Sequence, residues 1–146
     1  MNSTFHYCSA SEKEAFLNAL PAILEGFREI AFAYAYGSFI EEASFRDLDI
    51  ALYLYPENLP HSKFGFEDKV AQQITNELNP TFPLDVRILN GASIAFQYNA
   101  IRGRLLMERA AEYRIRMVRW IIARYLDIKP VLNQHTREAF AVEPEP

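Results

Sequence analysis

The chain has 146 residues, of which 50% are hydrophobic and 23% are charged, with a formal net charge of −4 at pH 7. This length and mixture predict one globular domain with a sizeable core, and they exclude a disordered chain and a collagen-like fibre. The single cysteine, Cys8, excludes a disulfide-bonded miniprotein and favours a reducing, cytoplasmic setting.

A helix is the first element that the sequence predicts, and it should end near residue 27. Its start fits a capping box, in which a hydroxyl and a carboxylate three residues later cap each other's backbone. Two overlapping pairs have that spacing, Ser9 with Glu12 and Ser11 with Glu14. Pro21 lies inside the segment, and because proline removes a helical hydrogen bond we expect a kink or a break into two helices.

Two strands come next, and both show the alternation of side chains that is typical of strands. In residues 30–36 large and small side chains alternate strictly, which predicts a strand with its bulky face buried. Gly37 and Ser38 end it. Residues 47–55 form the second strand, whose even-numbered leucines and isoleucine share one face while Asp47 and Asp49 share the other.

The middle of the chain predicts a helix followed by a third strand. The helix covers residues 64–78, with apolar side chains four positions apart, and an Asn-Pro pair stops it. The strand covers residues 84–89. Its apolar side chains share one face, and Asp85 and Arg87 share the other.

From residue 92 onward the pattern is mostly helical. Gly103 interrupts it, and a short strand is predicted for residues 105–107. The longest predicted helix covers residues 109–126. Pro130 separates that helix from a last short helix, which should end near residue 140.

The order of these elements decides the fold class. About ten residues connect the first two strands, which is too few for a crossover that contains a full helix. The sequence therefore predicts an α+β fold, a small mixed β-sheet with helices packed on one face, and not a doubly wound sheet. We assign residues 1–146 to a single domain, with its core at 11–126, a helical extension at 127–140 and a flexible tail at 141–146.

Three aspartates form the most informative group of candidate site residues. Asp47 and Asp49 are two positions apart on one strand, so both carboxylates lie on one face, with Cα atoms about 6.5–7 Å apart. Asp85 lies on the polar face of the next strand, and if the two strands pair, all three carboxylates converge. Unpaired, they would repel one another, and a hard divalent cation would remove that cost. Two Mg²⁺ ions about 3.5–4 Å apart are the usual apparatus of phosphoryl and nucleotidyl transfer.

Gly37 and Ser38 supply the complementary half of such a site. A glycine after a strand permits close approach of the backbone, and the following N–H groups, at the start of a short helix, suit a triphosphate. Ser38 adds a hydroxyl donor. Each half alone is more typical of an ordinary turn or a polar strand face, but their order along the chain predicts a nucleotide site.

With these motifs the chain resembles the minimal nucleotidyltransferases of the DNA polymerase β superfamily. The resemblance covers roughly residues 15–126 and rests on four segments: Tyr36-Gly37-Ser38, residues 46–51, Leu84-Asp85-Val86, and residues 103–109. The chain looks most similar to the MntA-type antitoxins, which pair with HEPN-domain toxins.

The resemblance implies a polymerase-β-like nucleotidyltransferase fold with C-terminal helices and the role of antitoxin in a type VII toxin–antitoxin system. It implies a Mg²⁺-dependent transfer of AMP from ATP to a tyrosine of a HEPN-type ribonuclease toxin, which neutralises the toxin and releases pyrophosphate. By the same resemblance, Gly37 and Ser38 would hold the triphosphate, and Asp47 and Asp49 would hold both metals. Asp85 would complete the catalytic metal site and help deprotonate the attacking hydroxyl.

Two other functions stay open at this point. Eight residues separate Ser38 from Asp47, where the family usually has ten, and Glu41 and Glu42 are among them. One alternative is therefore a non-catalytic antitoxin that acts by binding and occlusion. The other is a small-molecule nucleotidyltransferase, although 146 residues leave little room for the added substrate domain that such enzymes usually carry.

The distribution of charge bears on the partner. Residues 1–100 carry six Lys and Arg against thirteen Asp and Glu, whereas residues 101–146 carry nine against six. An acidic body argues against direct nucleic-acid binding and suits a basic protein partner, such as an RNA-cutting toxin. No apolar run approaches the roughly 18 residues of a membrane span, and the N-terminus lacks a secretory pattern, so we expect no membrane partner.

Overall fold

Five α-helices and six strands follow one another along residues 4–127, the part of the chain that the computed structural model describes. In chain order they are β1 His6–Tyr7, α1 Ala10–Glu25, β2 Ile30–Tyr36, α2 Ser38–Glu41, β3 Ser44–Phe45, β4 Leu48–Leu54, α3 Lys63–Leu78, β5 Leu84–Ile88, α4 Ile94–Ile101, β6 Arg104–Glu108 and α5 Ala111–Asp127. The predicted last helix and tail fall on residues 128–146, outside the described part. No helix within residues 4–127 is long and apolar enough to span a lipid bilayer.

A four-stranded mixed sheet in the order β5-β4-β2-β6 forms the centre of the molecule. The pairs β2–β4 and β2–β6 are antiparallel, whereas β4 and β5 are parallel. This confirms the predicted α+β class, and it fulfils the condition for convergence of the three aspartates, since the second and third long strands pair. The pair formed by β1 and β3 was not predicted, because two residues are too few to show alternation.

Helices cover both faces of the sheet, so the prediction that they pack on one face is wrong. Side chains from α1 and α3 form a core with Ile50 and Leu52 on one face of β4. On the other face, α4 and α5 pack over Ala51 and Tyr53. Both faces of the two central strands are apolar, and each therefore needs a covering layer.

The first helix begins as predicted and passes through its proline. Ser9 is the N-cap, and its side chain and that of Glu12 form the reciprocal capping box. Of the two outcomes expected at Pro21, a kink or a break, the break does not occur, since the helix is continuous from Ala10 to Glu25. Buried side chains on both sides of the proline, Leu17 and Leu20 before it and Ile23 and Leu24 after it, anchor the two halves to the same core.

We expect Pro21→Ala to stabilise the protein, because alanine restores the missing N–H donor and relieves the ring's conflict with the preceding turn. The gain should be about 1–2 kcal/mol, less than the roughly 3 kcal/mol typical of a helix interior, because packing already holds the helix together. Urea unfolding of the two proteins measures it, with Ala22→Ser, at an exposed neighbouring position, as the control. A loss of stability in Pro21→Ala would mean that the proline's ring packing matters more than the lost hydrogen bond.

Candidate active site

The register between β4 and β5 brings the three predicted aspartates together. Asp49 and Asp85 are directly paired across the two parallel strands, and Asp47 lies two residues before Asp49. One carboxylate oxygen from each of the three lies within 4.8 Å of the others. All three side chains are half-buried, so they form a cluster of negative charge that is partly shielded from water.

Within the cluster, Asp49 has the most strongly shifted pKa. Burial, followed by the charges of Asp47 and Asp85, raises the pKa of Asp49 from 3.8 to about 7. The negative charge of Asp85 is balanced by Arg87, which contacts its carboxylate with two nitrogens, each 3.3 Å from a carboxylate oxygen. The cluster without a cation is therefore under electrostatic stress that a bound metal would relieve.

Gly37 is required at its position by its backbone conformation, and it lies against the Asp49 carboxylate. Its backbone has φ of 83° and ψ of −161°, a conformation that is essentially restricted to glycine. A Cβ atom at this position would also lie 2.3 Å from Oδ2 of Asp49. The backbone at the end of β2 and the Asp49 carboxylate are thus in direct contact, and no side chain fits between them.

The one-turn helix α2 follows Gly37, as the sequence predicted, and Ser38 is its first residue. Phe39 anchors this turn, because its side chain is fully buried among aromatic rings of the core. The Lys13 ammonium, from α1, donates hydrogen bonds to the carbonyl oxygens of Phe39 (2.8 Å) and Glu42 (2.5 Å). The turn that presents Ser38 is therefore fixed from both the core side and its C-terminal end.

A cavity of about 270 Å³ lies beside Gly37 and Asp49. Its other lining residues are Tyr36, Glu41, Asn99 and Arg102. The sequence pointed to no site role for Asn99 and Arg102, because they are some 60 residues from Gly37 along the chain. Gly103 is the residue in the sequence that could have indicated this packing. A Cβ at Gly103 would lie 2.1 Å from the Ala35 carbonyl oxygen, so the glycine allows the end of α4 to approach β2.

Tyr36 forms the floor of this cavity next to the acids. Its ring packs edge-on against Phe96, with ring centroids 5.7 Å apart. Burial, together with the charges of Asp49, Asp85 and Asp47, raises the pKa of its hydroxyl above the ordinary range for tyrosine. The Tyr36 hydroxyl therefore stays protonated and available as a hydrogen-bond donor beside the cluster.

The donor set fits a hard divalent cation. Three carboxylates with oxygens this close offer the ligand type that Mg²⁺ prefers, and the half-buried setting strengthens the attraction. A glycine turn and an arginine line the adjoining cavity, and both can contact phosphate oxygens. The arrangement can bind a metal–nucleotide complex with the metal at the acids and the phosphates in the adjoining cavity.

Comparison with known protein families agrees with this geometry. Residues 18–112 match the family described as polymerase beta, nucleotidyltransferase. No curated protein sequence matches the chain.

Solved structures with the same fold come from toxin–antitoxin complexes. One is a complex of a tri-AMPylated Shewanella oneidensis HEPN toxin with an MNT antitoxin (17% identity, 88% of this chain and 95% of that chain, TM-score 0.58). A second is the MntA–HepT toxin–antitoxin (17% identity, the same coverage, TM-score 0.58). A third is a toxin–antitoxin with AMP-PNP (18% identity, 91% of this chain and 96% of that chain, TM-score 0.55). At these identities the likeness shows the shared fold.

The raised pKa of Asp49 makes the metal-free protein less stable as the pH rises. Because this pKa is about 7 in the folded state and 3.8 as the ordinary value, the folded state binds more protons between the two, and folding weakens through that window. We expect Asp49→Asn in EDTA to be more stable than the parent by about 1–2 kcal/mol near pH 8, after allowing for solvent screening.

The difference between the two proteins should shrink to nothing below about pH 3, where Asp49 is protonated in both the folded and the unfolded state. Urea unfolding across this pH range measures it, and Asp68→Asn, which removes an exposed carboxylate from α3, serves as the control. Lower stability of Asp49→Asn at about pH 8 would show that the Asp49 carboxylate holds the fold together and is not under stress.

Proposed function

The chain belongs to the polymerase β nucleotidyltransferase family, and we propose that it is the antitoxin of a type VII toxin–antitoxin pair. In this proposal it transfers AMP from ATP to a tyrosine of a HEPN-domain ribonuclease toxin and so neutralises the toxin. ATP as the donor agrees with the cytoplasmic setting that the single cysteine favours.

One observation carries the proposal more than any other. The three carboxylates lie within 4.8 Å of one another, with the Gly37 turn in contact with the central one. Further support comes from the fold, which is shared with an antitoxin in complex with a tri-AMPylated HEPN toxin and with a toxin–antitoxin that holds AMP-PNP. A purely structural role would not require three like charges to converge on a glycine turn.

Asp47, Asp49 and Asp85 are the residues that would hold the metal. We infer two Mg²⁺ ions, shared by Asp47 and Asp49, with Asp85 on the catalytic one. When bound, the metal neutralises charge on the triphosphate and on the attacking and leaving oxygens. The Arg87 guanidinium that contacts Asp85 is 58% exposed at its side chain, so it can turn away without disturbing the core.

The phosphates would extend from the acids toward the glycine turn. Gly37 permits the backbone to approach them closely, and Ser38 offers its hydroxyl and its free N–H at the start of α2. Arg102 and Asn99, on the opposite wall of the cavity, would contact the terminal phosphates or the sugar. The tyrosine acceptor would approach from the side of Asp85.

The reaction is an in-line displacement at the α-phosphorus. The tyrosine hydroxyl oxygen forms a bond to that phosphorus while the bond to the bridging α–β oxygen breaks, and pyrophosphate leaves. The proton of the hydroxyl passes to the Asp85 carboxylate or to water beside it. The products are a phosphodiester between AMP and the toxin tyrosine, and pyrophosphate.

A second function, neutralisation by binding alone, is favoured by one residue. Glu41 lines the cavity with Gly37 and Asp49, so a negative charge faces the position proposed for the triphosphate. Glu42 is exposed and does not line the cavity. If Glu41 prevented nucleotide binding, the chain would still cover its partner but would transfer nothing.

Asp47→Asn and Asp85→Asn should abolish AMP transfer while the protein stays folded. Each change removes an anionic ligand but keeps the shape of the side chain, so we expect a loss of at least about a hundredfold in rate. Intact-mass measurement of the cognate toxin after incubation with Mg-ATP follows the reaction, with Glu57→Gln, at an exposed turn, as the control. Equal inhibition of an unmodified toxin by the parent and by Asp47→Asn would establish binding alone.

Glu41→Gln should tighten Mg-ATP binding by about three- to tenfold, because it removes a like charge from the nucleotide cavity. Glu42→Gln is the matched control, since it removes the same charge one residue away from the cavity lining. Titration calorimetry measures both dissociation constants. Weaker binding in Glu41→Gln would show instead that Glu41 contacts the nucleotide or its metal.

A further inference from the structure

Strand β5 lies at the edge of the sheet, and it carries one of the three acids. Its one strand neighbour within residues 4–127 is β4. Natural proteins usually cover or block an exposed edge, because its unpaired backbone groups can bind another chain. Whether β5 is covered therefore decides whether another chain can pair with it beside Asp85.

Along β5, the backbone N–H and C=O groups of one residue point toward β4, and those of the next residue point toward the open side of the sheet. The Leu48 N–H donates to the Pro83 carbonyl and the Leu89 N–H donates to the Leu52 carbonyl, which fixes the odd-numbered residues of β5 as those that bond to β4. The groups of Leu84, Val86 and Ile88 consequently point outward.

The outward side of β5 is blocked at one end and open at the other. The Glu67 carboxylate, from α3, accepts a hydrogen bond of 2.7 Å from the Ile88 N–H. Leu84 and Val86 form no such bond to any residue in the described range. Two successive outward positions, on either side of Asp85, are thus free to pair with an incoming strand.

A groove of about 390 Å³ runs along this open edge. One wall is β5 from Leu84 to Arg87, and the other is a single face of α3 formed by Phe64, Glu67, Asp68 and Ala71. The Phe64 side chain is 79% exposed at the mouth of the groove, a high value for a large apolar residue. The groove therefore offers both unpaired backbone groups and an unpartnered aromatic ring.

Charge and position indicate which segment the groove suits. The lining of the groove is acidic, because it contains one basic side chain, Arg87, and three acidic ones: Glu67, Asp68 and Asp85. Asp85 belongs to the groove and also to the metal cluster, so a segment in the groove passes directly beside the proposed site of transfer.

We propose that the acceptor segment of the partner binds in this groove as an extended strand added to β5. The inference rests on the proposed transfer of AMP and identifies how the acceptor is presented. The acceptor tyrosine lies level with Asp85 and points to the same face of the sheet. Because neighbouring side chains of a strand point to opposite faces, the residues on each side of the tyrosine point toward α3, where Glu67 and Asp68 select basic side chains.

Synthetic peptides test this mode of binding directly. With Mg-ATP and the full chain, we expect AMP transfer to a peptide with arginine on each side of tyrosine (TVRYRVT) to exceed transfer to the glutamate counterpart (TVEYEVT) by about tenfold in kcat/KM. Asp68→Lys should reduce or reverse this preference, whereas Glu77→Lys, on the same helix but outside the groove, should leave it unchanged.

Backbone pairing has a second signature. N-methylation of the arginine peptide at alternate residues gives two sets, and only the set whose N–H groups face β5 should lose transfer. Hydrogen exchange with the same peptide should slow at the Leu84 and Val86 amides and stay unchanged at Asp85 and Arg87, which already bond to β4. Equal transfer to both peptides, unaffected by either methylation, would overturn the strand mode while the transfer activity stands.

The two proposals fail in distinguishable ways. If the arginine peptide slows exchange at Leu84 and Val86 but neither it nor the toxin gains AMP, the groove binds as inferred and the proposed activity is wrong. If the toxin gains AMP while the peptide leaves exchange at both amides unchanged, the acceptor reaches Asp85 by another route and the inference is wrong.

Discussion

Three carboxylates held within 4.8 Å of one another repel, and the rest of the structure is arranged around that repulsion. Burial strengthens the repulsion, as the raised pKa of Asp49 shows, and the positive charge of Arg87 offsets it at Asp85. A fold that maximised stability would separate these charges or expose them to water. Their retention in a half-buried cluster is what a site for a metal–nucleotide complex requires, since the cation supplies the missing compensation.

The surrounding scaffold fixes the cluster from several directions. The β4–β5 register sets Asp49 opposite Asp85, and β2 places Gly37 in contact with Asp49. Lys13 and the buried Phe39 hold the turn after Gly37, so the backbone that would meet the phosphates is preorganised. Preorganised groups need no rearrangement when charge develops during a reaction, which is why such rigidity serves catalysis. In the proposed mode, a partner segment reaches Asp85 along the open edge of β5.

Local patterns predicted the elements and the acid cluster, because alternation fixes which side chains share a strand face. At residues 30–36 the alternation correctly predicted a buried bulky face, which α4 and α5 cover at Phe32 and Tyr34, but it did not reveal that Ala33 and Ala35 are equally buried under α1 and α3. At Pro21, packing of the helix on both sides outweighed the local preference for a break. Asn99 and Arg102 escaped prediction because their position beside Gly37 depends on how distant elements pack.

The most direct test of the account uses ATP labelled separately at its α- and γ-phosphates, with the cognate toxin and Mg²⁺. The account predicts that the α-label moves to a toxin tyrosine, that pyrophosphate appears in equal amount, and that the γ-label does not move to the toxin. Transfer of the γ-label would identify a phosphotransferase. A toxin that is inhibited without gaining either label would contradict the nucleotidyl-transfer account and leave occlusion as the mode of neutralisation.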